Sequence, residues 1–129
     1  MRVINTDFEV AVPAGKYWLG DPCYSVSSDL WMDLLNSCKF FEHPIGKVEA
    51  DGKVHEVLAF GTAYGDGVYN DQFGNEFPVD AGLIGLTPVE LCKDDPHGSL
   101  LVEFTTETTC SCYEGILTFG DHEINTGDE

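Results

Sequence analysis

The stretch Ile45-Gly-Lys-Val-Glu-Ala-Asp-Gly-Lys-Val-His-Glu-Val-Leu-Ala-Phe60 repeats its pattern every two residues on either side of Asp51-Gly52. A period of two sends successive side chains to opposite faces of an extended chain. Asp-Gly suits the two-residue turn whose central residues both take positive φ. The segment therefore predicts a tight hairpin, with 45–50 paired against 53–60.

Working outward, the same period recurs. Upstream, Phe8, Val10 and Val12 alternate with Glu9 and Ala11, and Pro13-Ala-Gly15 separates them from the aromatic run Lys16-Tyr-Trp-Leu19, which predicts an N-terminal hairpin. Gly20-Asp-Pro22 breaks that strand. Ser27 or Ser28 then caps a helix whose apolar face collects Leu30, Trp31, Leu34, Leu35 and Cys38, the one helix of ordinary length in the pattern. Downstream, Asp-Gln-Phe-Gly-Asn at 71–75 predicts a second hairpin between Val68-Tyr69 and 77–79. A buried strand is expected at 83–86. Thr87-Pro-Val-Glu90 has the order of a capping box and predicts one helical turn ending near Cys92. After a loop at 93–99, runs at 100–106 and 112–119 read as strands, with a short edge strand at 122–126 and a frayed end. About eight strands against one helix predict a mainly β (α+β) fold. We expect an antiparallel twisted sheet that forms a sandwich or partly open barrel, with one helix packed outside, and a single globular domain over 1–129.

Charge bounds the partners. Six basic side chains face twenty-three acidic ones, for a net charge of -17, and no lysine or arginine follows Lys93. Phosphate recognition requires clustered lysine and arginine, so direct nucleic-acid binding is not expected. The acids either keep the protein soluble or present a decoy to a basic protein surface. Under either reading, self-repulsion predicts a melting temperature that rises as moderate salt screens the carboxylates. The N-terminal residues lack the apolar core of a secretory signal, and no run is long enough to span a bilayer, so a cytoplasmic protein without a membrane partner is expected. Five cysteines, at 23, 38, 92, 110 and 112, do not have disulfide-scaffold spacing and suit a reducing compartment.

Two constellations concentrate polar chemistry. The first is Gly20-Asp21-Pro22-Cys23-Tyr24, a carboxylate, thiol and phenol between a strand and the helix. The second is Thr62-Ala-Tyr64-Gly-Asp66-Gly67-Val-Tyr69, with Asp80-Ala-Gly82 following it, in a stretch from Val54 to Cys92 that holds no lysine or arginine. Its glycines imply a bulge or bend that aims side chains into a cleft. Asp21, Cys23, Tyr24, Thr62, Tyr64, Asp66, Tyr69 and Asp80 are accordingly the candidate ligand-binding residues. Each has an ordinary structural role as well: Asp66 and Asp80 accepting backbone hydrogen bonds in turns, Cys23 as a buried thiol. No metal or catalytic signature is complete. A divalent cation held by Asp66 with Asp21 or Asp80 depends on their oxygens converging, while Cys110-Ser-Cys112 reads as same-face core packing rather than half of a zinc set.

Tyr17-Trp-Leu-Gly-Asp-Pro-Cys-Tyr24, 60–69 and Val79-Asp-Ala-Gly-Leu-Ile-Gly85 together resemble a group of small acidic proteins encoded by bacteria and their phages. The resemblance implies a cytosolic protein acting in an infected cell. By analogy of lifestyle it implies a host-takeover or anti-defence factor that blocks a protein or captures a nucleotide signal, and it assigns no residue a role.

These readings converge on a non-catalytic binding protein that sequesters a small ligand or inhibits a host factor through a basic surface of that partner. The rivals are a small metal-dependent hydrolase acting on a nucleotide or phosphodiester through Asp21, Asp66 and Asp80, and an acidic DNA mimic. Oligomeric state is left open.

Overall fold

In the computed structural model, which describes residues 7–127, the Asp51-Gly52 hairpin forms as its sequence requires. Strands β3 (Ile45–Ala50) and β4 (Lys53–Gly61) pair antiparallel from Ala50↔Lys53 to Ile45↔Leu58. Asp51 and Gly52 take φ of 56° and 74°, the left-handed pair that a two-residue turn needs. β4 then pairs along its other edge with β7 (Leu83–Pro88), but only from Leu58 to Gly61. Gly85 is obligatory at this junction, because a Cβ there would lie 1.8 Å from the Leu58 carbonyl oxygen.

β2 (Gly15–Gly20) and β8 (Leu100–Phe104) complete a five-stranded antiparallel sheet in the order β3-β4-β7-β2-β8. β1 (Phe8–Val12), β9 (Thr108–Tyr113), β10 (Ile116–Phe119) and β11 (His122–Asn125) form a second sheet in the order β1-β9-β10-β11. A two-stranded ribbon, β5 (Gly67–Asn70) with β6 (Glu76–Val79), is bridged to the second sheet through Asp71 and Ile124. Alternate residues of the two sheets meet in one core that includes the fully buried Leu19, Ile84, Leu117, Phe119 and Ile124, with Cys110 and Cys112 on the same inward face. The opposite face of the five-stranded sheet is covered by α2 (Ser28–Ser37), where Leu34, Cys38 and Phe41 pack on Val48, Val57 and Ala59. The helix sits so close that a Cβ on Gly46 would come within 2.7 Å of a Leu34 methyl. The result is an antiparallel β sandwich, not a closed barrel, with a helix on its outer face.

Four local expectations are corrected. β1 and β2 form at their expected positions but are not a hairpin: β1 pairs with β9, β2 with β7 and β8, and Pro13 to Gly15 carries the chain from one sheet to the other. The Tyr17 hydroxyl fixes that corner by donating to the Pro13 carbonyl at 2.7 Å. The run at 112–119 is two strands, split by a turn at Glu114 and Gly115 with φ of 51° and 84°. Thr87-Pro-Val-Glu90 does not start a helix. Thr87 is buried in β7 with its hydroxyl 2.7 Å from that of Ser25, so it is not free to cap, and 88–91 closes as a turn. Finally, Asp21-Pro22 does more than break a strand, because it caps a short helix α1 (Pro22–Ser25) with proline in its first turn.

After α2, Lys39, Phe40 and Phe41 all adopt left-handed conformations, with φ of 54° to 64°. Such residues are disfavoured by roughly 1–2 kcal/mol each, and the return of Phe41 into the helix-side core offsets part of that cost.

Candidate functional site

The residues singled out in the sequence separate into two groups. Asp21 is completely buried. Its Oδ1 accepts the N–H of Cys23 at 2.9 Å, and its Oδ2 accepts those of Asp80 at 2.8 Å and Ala81 at 2.7 Å. Three backbone donors converging on one carboxylate make it a tie between the β2–α1 corner and the β6–β7 turn. It holds Asp80 in place rather than joining Asp80 as a ligand. Cys23 lies beside it, and burial, followed by the charges of Asp21 and Asp80, pushes its thiol up to about 12. A thiol that stays protonated at neutral pH is a poor nucleophile. Tyr24 stacks edge-on against His97 at 5.0 Å. Desolvation and the neighbouring Cys23, Asp80, Asp21 and Asp66 raise its phenol.

Thr62 and Tyr69 also act internally. The buried Thr62 hydroxyl donates to the Gly65 carbonyl at 2.7 Å, and the Tyr69 hydroxyl donates to the same oxygen at 2.9 Å. Both thereby brace the loop that presents Tyr64 and Asp66. Tyr64 is 60% exposed, and Asp66 and Asp80 are exposed as well. The fold therefore does bring Asp21, Cys23, Tyr24, Asp66 and Asp80 to one corner, but Asp21 faces inward. Among the described residues, no group of three or more His, Cys, Asp or Glu side chains is placed to hold a metal ion. Cys110 and Cys112 are core thiols, and burial raises Cys110 to about 11.

A different region has the shape of a binding site. β7 ends at Pro88, which has no N–H to offer, and β4 is paired to β7 only from Leu58 onward, so one edge of 53–57 is left uncovered. On the other side, β1 and its turn lead away into the second sheet. Between them opens a cleft of about 760 Å³. Its apolar walls come from Val12, Tyr17, Ile45, Leu58 and Leu86, and its polar residues are Lys16, Lys47, Lys53, Lys93, His55, Glu56 and Glu90.

The charge distribution is the informative part. Five lysines occur among the described residues, and only Lys39 is not at this cleft. Four lysines against two glutamates make it locally basic in a protein of net charge -17. Lys53 Nζ reaches Glu90 Oε1 at 2.8 Å. That hydrogen bond and charge, with smaller contributions from His55 and Lys93, hold the Glu90 carboxyl below its usual range. Tyr17 is pushed the other way by burial and by Cys110 and Glu56. His55 is buried on the helix-side face of β4 with Val57.

Sequence reasoning missed this cleft because the four lysines are separated by up to 77 positions, from 16 to 93. The available signal was the parity of β3 and β4. Ile45 and Lys47 share a face with Leu58 and Glu56, so a lysine and a glutamate stand on the same side as core residues.

Among the described residues, no helix is long and apolar enough to cross a membrane. Comparison of the chain with protein-family models, with curated proteins and with solved structures gives no match.

Proposed function

We propose that the protein binds and sequesters a small molecule, without transforming it, in the lysine-rimmed cleft between its two sheets. The observation that carries this reading is the joining of a pocket of about 760 Å³ with four of the five described lysines. Pockets for small ligands typically enclose 300–1,000 Å³, with mostly apolar walls and a few placed polar groups. The cleft has that composition. At the other corner, Cys23, whose thiol is held up at about 12, and Asp21, whose carboxylate is engaged with backbone N–H groups, lend no support to nucleophilic or acid–base chemistry there. The metal-dependent hydrolase reading needs Asp66 to share a cation with Asp21 or Asp80, and the engagement of Asp21 with backbone N–H groups lends its Asp21 arm no support.

Inhibition of a protein partner is a second reading, favoured by one observation. Outside the cleft, Lys39 is the sole basic lysine or arginine side chain among the described residues, so the exterior suits a basic partner surface. In an infected cell, the setting the resemblance implies, either activity would serve host takeover or anti-defence.

The test is retention. Val54 is 59% exposed and on the cleft-facing side of β4, so Val54→Trp would occlude the cleft without overpacking the core. Protein isolated gently from its host should release a small molecule, identified by mass spectrometry, that Val54→Trp protein lacks. Equal content of every small molecule in the two preparations would count against sequestration in the cleft.

A further inference from the structure

Resting on the cleft as the binding site, we infer that its ligand is a small amphiphilic anion, with one carboxylate or phosphate head held by Lys47 and Lys53 and an apolar body laid on Tyr17, Leu58 and Leu86. The polarity of the cleft runs in one direction. Along β4 the chain passes from Leu58, 2% exposed, through Glu56 and the exposed Val54 to Lys53 at the hairpin tip. At about 3.3 Å per residue, that path is roughly 17 Å long. One end is hydrocarbon, Lys47 stands across from Glu56 midway, and Lys53 closes the other end.

Charge decides among ligand classes. A cation would meet four lysines, and a neutral amphiphile would leave their mutual repulsion offset only by Glu56 and Glu90. An anion relieves that repulsion and gains from low-dielectric walls around the charge. A polyanion such as nucleic acid is disfavoured, since the surface beyond the cleft is acidic. A single anionic head on an apolar body satisfies all of these constraints. The Lys53–Glu90 pair fits as a resident substitute: side chains 61% and 66% exposed make it easily exchanged, and an incoming head takes over Lys53 as Glu90 swings into water.

The experiment is calorimetric titration of the full chain with decanoate, decyl phosphate, decan-1-ol and decylammonium, each below its micellar concentration. Decanoate, decyl phosphate or both should bind at least about tenfold more tightly than decan-1-ol, with decylammonium weakest, as expected for a charge-assisted head contact. The tighter of the two anions identifies the head as carboxylate or phosphate. The double variant Lys47→Gln/Lys53→Gln should lose about tenfold for the anions and leave decan-1-ol unchanged, while Lys39→Gln, away from the cleft, should alter neither. Equal binding of decan-1-ol and both anions, or an anion affinity indifferent to the double variant, would overturn the anionic head while leaving the cleft reading intact. Failure of both anions to bind would overturn the amphiphilic anion, and with no difference on retention between wild type and Val54→Trp it would overturn the cleft reading as well.

Discussion

The corner around Asp21 and the cleft around Lys47 are both polar, and they use polarity in opposite ways. At the corner, a carboxylate turns inward and is consumed by three backbone N–H groups. At the cleft, ammonium groups stand on the rim of an apolar pocket and, among the described residues, only Lys53 is engaged with an acid, by an exposed contact. Inward acids hold the fold, and in the proposed reading outward bases are left for a ligand. Of the polar residues close together in sequence, Asp21, Thr62 and Tyr69 serve the architecture, whereas the lysines of the proposed site come from distant positions in the chain.

The comparison breaks most readily at Asp21. Asp21→Ala leaves three N–H donors without their shared acceptor, and we expect a loss of about 2–3 kcal/mol in urea unfolding. A variant of unchanged stability that lost ligand binding would turn the corner back into a site. Asp71 sharpens the same contrast, because it does in the β5–β6 turn what Asp21 does at the corner. Burial alone would raise its pKa, but hydrogen bonds from the Asn75 side chain, the His122 ring and the N–H groups of Asn75 and Phe73 outweigh it and hold the carboxyl at about 2. A folded-state value depressed below the ordinary 3.8 gives stability that is present above pH 4 and lost as pH falls toward 2. On the order of 2 kcal/mol should disappear across that window in acid unfolding, and Asp71→Asn should remove that portion of the pH dependence.

Smaller effects test the loop and the rim. Thr62→Val removes the donor to Gly65 and should cost about 1 kcal/mol in thermal unfolding, with ligand affinity at the cleft unaltered. A matching drop in affinity would link the two regions. Glu90→Gln should leave the melting temperature unchanged, since the pair it breaks is exposed, and should strengthen decanoate binding severalfold by freeing Lys53. Weaker binding would show that Glu90 is part of the ligand contact.

Much of the architecture was legible because its determinants are local. Asp51-Gly52 specifies a turn by its own φ values, the apolar spacing of α2 specifies its buried face, and 71–75 specifies a hairpin closed by Asp71. Topology was less accessible. Nothing in Pro13-Ala-Gly15 distinguishes a hairpin turn from a crossing between sheets, and Glu114-Gly115 is a weaker turn signal than Asp51-Gly52. A cation site required Asp66 to converge with Asp21 or Asp80, and the direction of the Asp21 carboxylate depends on which amides lie opposite it. For the cleft, the decisive fact is where β7 stops pairing with β4, a consequence of three-dimensional register around Pro88. Pro88 and the parity of β3 and β4 are its local traces, and neither says which strands lie side by side.

The most direct test is an amide chemical-shift map of the protein titrated with decanoate. Perturbations should concentrate at Tyr17, Lys47, Val54, Glu56, Leu86 and Val89, around the cleft. Perturbations confined to Tyr64, Asp66, Asp80 and Ala81, with the cleft silent, would contradict the account.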